Sequence, residues 1–164
     1  MSSMNIEQAR FNMIEQQIRP WDVLDDRVLN VLSSTPREEF VPEQYAAMAF
    51  SDFSIPLANE QFMMAPKLEG RLLQSLSIED ADSILEVGTG SAYLTACLAR
   101  LGNSVHSVDL YADFTAQAGT RLDTHGIKNV TLETADAAAG LQTGKRFDVI
   151  AITGSLPVLH RKFH

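Results

Sequence analysis

Two glycines one residue apart, Gly88 and Gly90, follow the apolar run Ile84-Leu85-Glu86-Val87. Glycine lets a chain turn sharply and lets a ligand approach the backbone closely. Glu86 interrupts the run with an acid, and acids are rarely fully buried unless paired. A cationic ligand group nearby would account for it. Asp109 lies 21 residues beyond Gly88, at the end of the next apolar run, where a carboxylate can accept both hydroxyls of a ribose. Asp136 follows a third run and could accept from an adenine amino group; Thr153 ends a fourth. Taken singly, each is equally well an ordinary turn glycine or a solvated acid. Taken together, in this order, they predict a nucleoside site at the carboxyl ends of neighbouring strands.

The elements that must position these residues are legible as alternating runs. Segments 83–87, 105–110, 130–133 and 147–152 read as buried strands. Helices are expected over 91–101, where Leu94, Cys97, Leu98 and Leu101 fall at helical spacing, and over 112–125, closed by Gly126. Gly102-Asn103 reads as a helix stop. Segment 136–144 is a small-residue loop or helix. This rhythm demands a parallel sheet with right-handed crossovers. The fold class expected is α/β, a Rossmann-like parallel sheet with helices on both faces.

Residues 1–78 read as an N-terminal helical extension with a loop on the acceptor side, and 79–164 as the cofactor-binding core of what is one structural domain. Ile6, Ala9, Met13 and Ile14 line one side of a helix over 5–18, capped by Asn5 and ended by Arg19-Pro20. Asp25 or Asp26 caps a second helix with Val28, Leu29, Val31 and Leu32 on its apolar face. Pro36 to Pro42 is a connector, followed by a short helical piece over 43–49. Phe53, Ile55 and Leu57 alternate around Pro56, as in an edge strand. Pro66 opens a helix to about residue 77 with Leu68, Leu72, Leu73 and Leu76 buried.

A chain of 164 residues is long enough for a substantial core. The net charge of −8 argues against nucleic-acid binding through a basic surface. No apolar run suits a membrane span, and the first residues lack a basic and then apolar leader. The single Cys97 fits a reducing, cytoplasmic compartment and a packing role. His106, His125, His160 and His164 are scattered, so surface or structural roles are expected rather than metal binding.

The glycine turn also discriminates between nucleosides. A dinucleotide fingerprint wants a third glycine where Tyr93 stands, and a P-loop wants Lys followed by Ser or Thr. The run Glu86-Val87-Gly88-Thr89-Gly90-Ser91-Ala92 instead resembles the first motif of S-adenosylmethionine-dependent methyltransferases, E/D-x-G-x-G-x-G, with Ala92 at the last glycine. The difference there is one methyl group. Three further blocks, Met13 to Arg19, Asp26 to Leu29 and Pro36-Arg37-Glu38-Glu39-Phe40-Val41-Pro42, resemble the protein-L-isoaspartate (D-aspartate) O-methyltransferase family, as does Phe147-Asp148-Val149-Ile150.

The resemblance implies a class I methyltransferase fold with S-adenosyl-L-methionine as methyl donor and S-adenosyl-L-homocysteine as product. It implies methylation of the free carboxylate of isoaspartyl residues in damaged proteins or peptides, and it places Glu86, Gly88, Gly90, Asp109 and Asp136 on the cofactor. Two departures stand out. Where the family loop carries a serine, this chain has Met64, which offers no hydroxyl donor. A carboxylate losing one hydrogen bond is held less well by ~1.5–3 kcal/mol. Gln61 and Pro66 persist, and Gln61 is the remaining candidate there. A different acceptor, or a cofactor-binding but catalytically silent domain, is the alternative reading. The family sheet also continues beyond strand 147–152, so a shortened chain is expected, or a second subunit covering that strand's unpaired edge.

Overall fold

The computed structural model describes residues 2–141, 143–156, 158–159 and 161–163. His160 and His164, expected in surface or structural roles, lie outside the described residues. The chain divides into two compact units, Met1–Ser77 and Ile78–His164.

The first unit holds α1 (Ser3–Met13), α2 (Asp26–Ser34), β1 (Ile55–Pro56), β2 (Phe62–Met63) and α3 (Pro66–Leu76). The long N-terminal helix differs from its expected form. Ser2, not Asn5, occupies the cap position. Arg19-Pro20 does not end the helical path: α1 passes into a π-helical turn over Ile14–Ile18 and a 3₁₀ turn over Arg19–Trp21, closing at left-handed Asp22. Proline at the start of the 3₁₀ turn lacks only a donor that has no partner there anyway. Asp25 caps α2, accepting from the Arg27 and Val28 amides at 2.8 and 3.2 Å.

β1 and β2 form a small antiparallel hairpin pairing Ile55 with Met63. Its turn is made by Asn59 and Glu60, both left-handed, with φ of 57° and 56°. That combination matches the twist of a tight hairpin. The apolar face of α3 is rotated from the expected one. Leu68 is exposed, while Glu69, Gly70 and Leu73 are buried. The cause is Arg37, wholly buried in a 3₁₀ turn and paired with Glu69 at 2.6 Å.

The second unit is a four-stranded parallel sheet in the order β5-β4-β3-β6, with β3 at Ser83–Val87, β4 at Ser104–Asp109, β5 at Val130–Thr134 and β6 at Val149–Ile152. β4 stops one residue earlier than expected, leaving Leu110 exposed. β6 begins two residues later than expected. Phe147 instead packs edge-on against the His106 ring, and Asp148 accepts from the Ser83 amide and hydroxyl at 2.8 Å each. Helix α4 (Tyr93–Leu101) links β3 to β4, and α5 (Ala112–Thr124) links β4 to β5. The described residues of segment 136–144 form an irregular loop rather than a helix.

Strand alternation separates two faces. Leu85, Val87 and Val108 face a cluster that includes Ala137, Phe147, Leu156 and Phe163. Ile84, Glu86, Val105 and Ser107 take the other face, against which α4 packs. Cys97 on α4 is buried. Burying these side chains at about 25 cal/mol per Å² of apolar surface fixes the register, because a one-residue slip would exchange the faces.

Candidate functional site

The carboxyl ends of the strands carry the residues that the spacing singles out. β3 ends at Val87 and runs directly into the turn. Gly88 adopts φ of +108° and Gly90 φ of +51°. Gly88 donates to the Val108 carbonyl at 2.8 Å, which ties the turn to β4. Its missing side chain serves close backbone packing: a Cβ there would lie 2.6 Å from the Gly154 nitrogen and 2.8 Å from the Thr153 hydroxyl. Thr153 donates that hydroxyl to the Gly88 carbonyl at 2.9 Å. The loop after β6 thus braces the turn.

Asp109, at the end of β4, is buried. Its Oδ2 accepts from the Gly90 amide at 2.9 Å and its Oδ1 from the Tyr111 amide at 3.0 Å. Each carboxylate oxygen retains a second acceptor site. The Asp109 carbonyl accepts from the Ala135 amide at 3.0 Å, which brings the start of the next loop alongside. Asp136 follows immediately, exposed, with Oδ1 accepting from the Ala138 amide at 2.9 Å. Gly88, Gly90, Asp109, Asp136 and Thr153 therefore share one end of the sheet.

Glu86 lies beneath that end and is fully buried. Its Oε1 accepts from the Ser107 hydroxyl at 2.6 Å and from the Thr95 hydroxyl on α4. Ser107 in turn meets the Thr89 hydroxyl at 2.6 Å. Since Ser107 donates to Glu86, Thr89 is the donor to Ser107. Glu86 Oε2 has no hydrogen-bond partner among the described residues. Burial raises its carboxyl to about 7, the hydrogen bonds from Ser107 and Thr95 opposing and the negative charge of Asp109 reinforcing the rise.

Three features of this site escape a reading by spacing alone. Thr89, Ser107 and Thr95 are small polar residues inside apolar segments, and no local signal marks them before the β3–β4 register is known. Arg121 on α5 donates to the Ser91 carbonyl at 2.9 Å and holds the far side of the turn. Ala92 adopts φ of +69° while fully buried. The substitution at the third motif position is thus more than one added methyl, because an L-residue in this region is strained.

The acceptor-loop candidates belong to the first unit. Gln61 is exposed, and its side-chain amide donates to the Asn59 carbonyl at 2.9 Å, within its own hairpin. Met64 is partly buried, and its carbonyl accepts from Arg37 at 2.9 Å. Of the histidines, His106 pairs with Glu133 at 2.6 Å and His125 caps α5. Among the described residues, no group of three or more His, Cys, Asp or Glu is placed to hold a metal ion. No helix of the described residues is long and apolar enough to cross a membrane.

Known proteins resemble this chain over most of its length. The family profile described as protein-L-isoaspartate (D-aspartate) O-methyltransferase matches residues 8–163. The protein-L-isoaspartate O-methyltransferase of Koribacter versatilis is 36% identical over 148 residues, covering 90% of this chain and 67% of its own. That of Geobacter metallireducens is 33% identical over 154 residues, covering 94% of this chain and 71% of its own. A solved protein-L-isoaspartate O-methyltransferase superposes with a TM-score of 0.78 at 21% identity, over 96% of this chain and 50% of the other. A Plasmodium falciparum protein described as the same enzyme, in complex with S-adenosyl-L-homocysteine, gives 0.76 at 17% identity, over 94% and 75%. At those identities the two structures speak for the fold. This chain thus spans about two thirds of the length of these curated relatives and half of the first structure. It belongs to the protein-L-isoaspartate (D-aspartate) O-methyltransferase family, whose members use S-adenosylmethionine to methylate damaged proteins.

Proposed function

We propose that this chain binds S-adenosylmethionine over the Gly88–Gly90 turn and methylates the free carboxylate of isoaspartyl residues. The observation that carries the cofactor assignment is Glu86. A wholly buried acid with one oxygen unpartnered among the described residues lies beneath the glycine turn. Buried charge is costly unless paired, and a cationic ligand supplies the pair. Asp109 fits a ribose because each oxygen keeps an acceptor site after binding Gly90 or Tyr111. Asp136, exposed beside the end of β5, suits an exocyclic amino group. Gly90 lets a ligand approach the backbone closely, while Gly88 makes room for the loop after β6 that braces the turn.

S-adenosylmethionine, when bound, supplies a methyl carbon on a sulfonium leaving group. The task left to the protein is chiefly positional. A carboxylate acceptor is already ionised near neutral pH, so a strong general base is not required. Holding acceptor oxygen, methyl carbon and sulfur in line converts a bimolecular step into an effectively unimolecular one. Glu86 and Asp109 would fix the donor's cationic and ribose ends. Arg37 holds the carbonyl of Met64 and so sets the path of the candidate acceptor loop within its own unit.

Met64 supports a second reading, a donor-binding domain without isoaspartyl transfer, because thioether sulfur cannot donate to a carboxylate. One assay separates the two. The chain is incubated with methyl-labelled donor and an isoaspartyl peptide, beside the aspartyl peptide. Base-labile label on the isoaspartyl peptide alone supports repair. Donor binding by calorimetry without transfer supports the silent domain. A folded chain that binds no donor overturns both.

A further inference from the structure

Glu86 is joined to the glycine turn by side chains that the cofactor assignment leaves unexplained. Thr89 stands between Gly88 and Gly90, and its hydroxyl meets Ser107 at 2.6 Å. Ser107 donates to Glu86 Oε1 at 2.6 Å, and Thr95 donates to the same oxygen. Thr89, Thr95 and Ser107 are all buried. Three hydroxyls on three elements thus converge, directly or through one another, on one carboxyl oxygen and leave the other without a partner among the described residues. Resting on the cofactor reading above, we propose that Thr89, Ser107 and Thr95 are positioning residues in a hydroxyl relay that holds Glu86 Oε1 and leaves Oε2 to exchange its proton for a bound cation.

The groups around Glu86 set the direction of that coupling. On β4 the charged neighbour is Asp109, of like sign, which favours the neutral acid. β6 places Ala151 in register with it and contributes no charge there. On α4 the nearest donor is the Thr95 hydroxyl, with Tyr93 and Cys97 the buried titratable side chains of that helix. His106 on β4 belongs to the opposite face, where it pairs with Glu133. With the carboxyl raised to about 7 by burial, the free protein at pH 7 holds about half a proton at this site. A bound cation favours the ionised form. The Glu86 O–H bond breaks, the electron pair stays on the carboxylate, and the proton passes to solvent buffer. The hydroxyls from Ser107 and Thr95 keep Oε1 satisfied in the ionised state.

The test is calorimetry of S-adenosylmethionine binding at pH 6, 7 and 8 in two buffers of different ionisation enthalpy. The donor's own amine titrates in this range, so the Glu86→Gln variant supplies its contribution. At pH 7 the wild type should release about half a proton more than Glu86→Gln. Ser107→Ala should move the pH of greatest release upward, since it removes a donor to the ionised form. A purely structural role would change thermal stability and leave the proton count alone. The wild type alone also gives an answer: the 13C carboxyl shift of Glu86 should titrate at least one pH unit lower with donor bound. Donor binding with an unchanged Glu86 midpoint overturns the relay alone. A folded chain that binds no donor overturns the proposed function and the relay with it.

Discussion

Gly88 and Gly154 share one small space: a side chain on Gly88 would lie 2.6 Å from the Gly154 nitrogen, whereas one on Gly154 would lie 3.6 Å from the Gly88 α-carbon. The contact is asymmetric, and so is the backbone, since Gly88 alone of the two has a strongly positive φ. Gly88→Ala should cost at least about 2 kcal/mol, from strain and overpacking together. Gly154→Ala meets only ordinary van der Waals distances and should cost less than about 1 kcal/mol. Urea denaturation of the two variants side by side checks the order; equal losses would mean that the close approach is not what constrains Gly88.

Ala92 tests how a family glycine came to be replaceable. Its left-handed φ of 69° costs an L-residue about 1–2 kcal/mol. Against that, its methyl is fully buried, which contributes about 0.8 kcal/mol. Alanine also restricts the unfolded chain relative to glycine, by about 0.4–1 kcal/mol. These terms nearly cancel, so Ala92→Gly should shift stability by less than about 1 kcal/mol in either direction. Ala92→Val keeps the strain and overfills the site, and should cost more than about 2 kcal/mol. Thermal melts of both variants suffice, and a stabilisation well above 1 kcal/mol by glycine would show that burial of the methyl contributes little.

In the first unit, Arg37 donates to the Ala49 carbonyl at 2.7 Å, to Glu69 at 2.6 Å and to the Met64 carbonyl at 2.9 Å, in divergent directions. Removing one member of a buried ion pair strands the other charge and typically costs about 3–5 kcal/mol. Glu69→Leu and Arg37→Met should each fall in that range, while the double variant should cost less than the sum, because no lone charge remains. Arg37→Lys keeps the charge but cannot reach three partners with one ammonium, so it should still lose about 2 kcal/mol. Additive single losses in a double-mutant cycle would refute the coupling.

The second unit was far more legible in sequence than the first, and the reasons are physical. A parallel strand buried on both faces is a continuous apolar run, so β3 and its neighbours stand out, and the ends of β3, β4 and β5 fall within a residue of their expected places. Gly88, Gly90, Asp109 and Asp136 mark their ends because strand ends are where polar residues resume. The first unit is organised around Arg37, and a charged residue in a Pro-Arg-Glu connector gives no local sign of burial. Pairing with Glu69, 32 positions away, rotates the buried face of α3 and exposes Leu68. The same blindness hid the partners of Glu86: Ser107 is its cross-strand neighbour only once the β3–β4 register is known. The left-handed turn at Ala92 was invisible because alanine is not a residue that announces positive φ.

Asp109 holds two backbone amides, those of Gly90 and Tyr111. A substitution there therefore acts on the turn as well as on any ribose. Asp109→Asn keeps one acceptor oxygen and replaces the other with a donor, which cannot accept from a backbone amide. We expect both Asp109→Asn and Asp109→Ala to weaken S-adenosylmethionine binding at least tenfold, with alanine the greater loss. Titration calorimetry measures this directly. Affinity within threefold of wild type in the alanine variant would remove Asp109 from the ribose site.

Glu86 makes the stability of the second unit depend on pH in a direction opposite to that of most carboxylates. Its folded-state value, about 7, lies above the unfolded value of 4.5. The folded protein therefore binds the proton more tightly than the unfolded chain does. The stabilisation is complete below about pH 4.5 and is lost as pH rises through 7, and full ionisation costs about 3 kcal/mol. Asp148 runs the other way: its two bonds from Ser83 lower its value, so its contribution is present above the ordinary carboxyl range and is lost in acid. Glu86→Gln keeps the acceptor for Ser107 and Thr95 and cannot ionise. Between pH 5 and pH 8 the variant should lose about 2.5 kcal/mol less stability than the wild type, so that the two denaturation profiles converge or cross near neutrality. Urea unfolding at pH 5, 6, 7 and 8 tests this, and parallel profiles would mean that Glu86 is already ionised throughout, through a cation or solvent path that reaches its second oxygen.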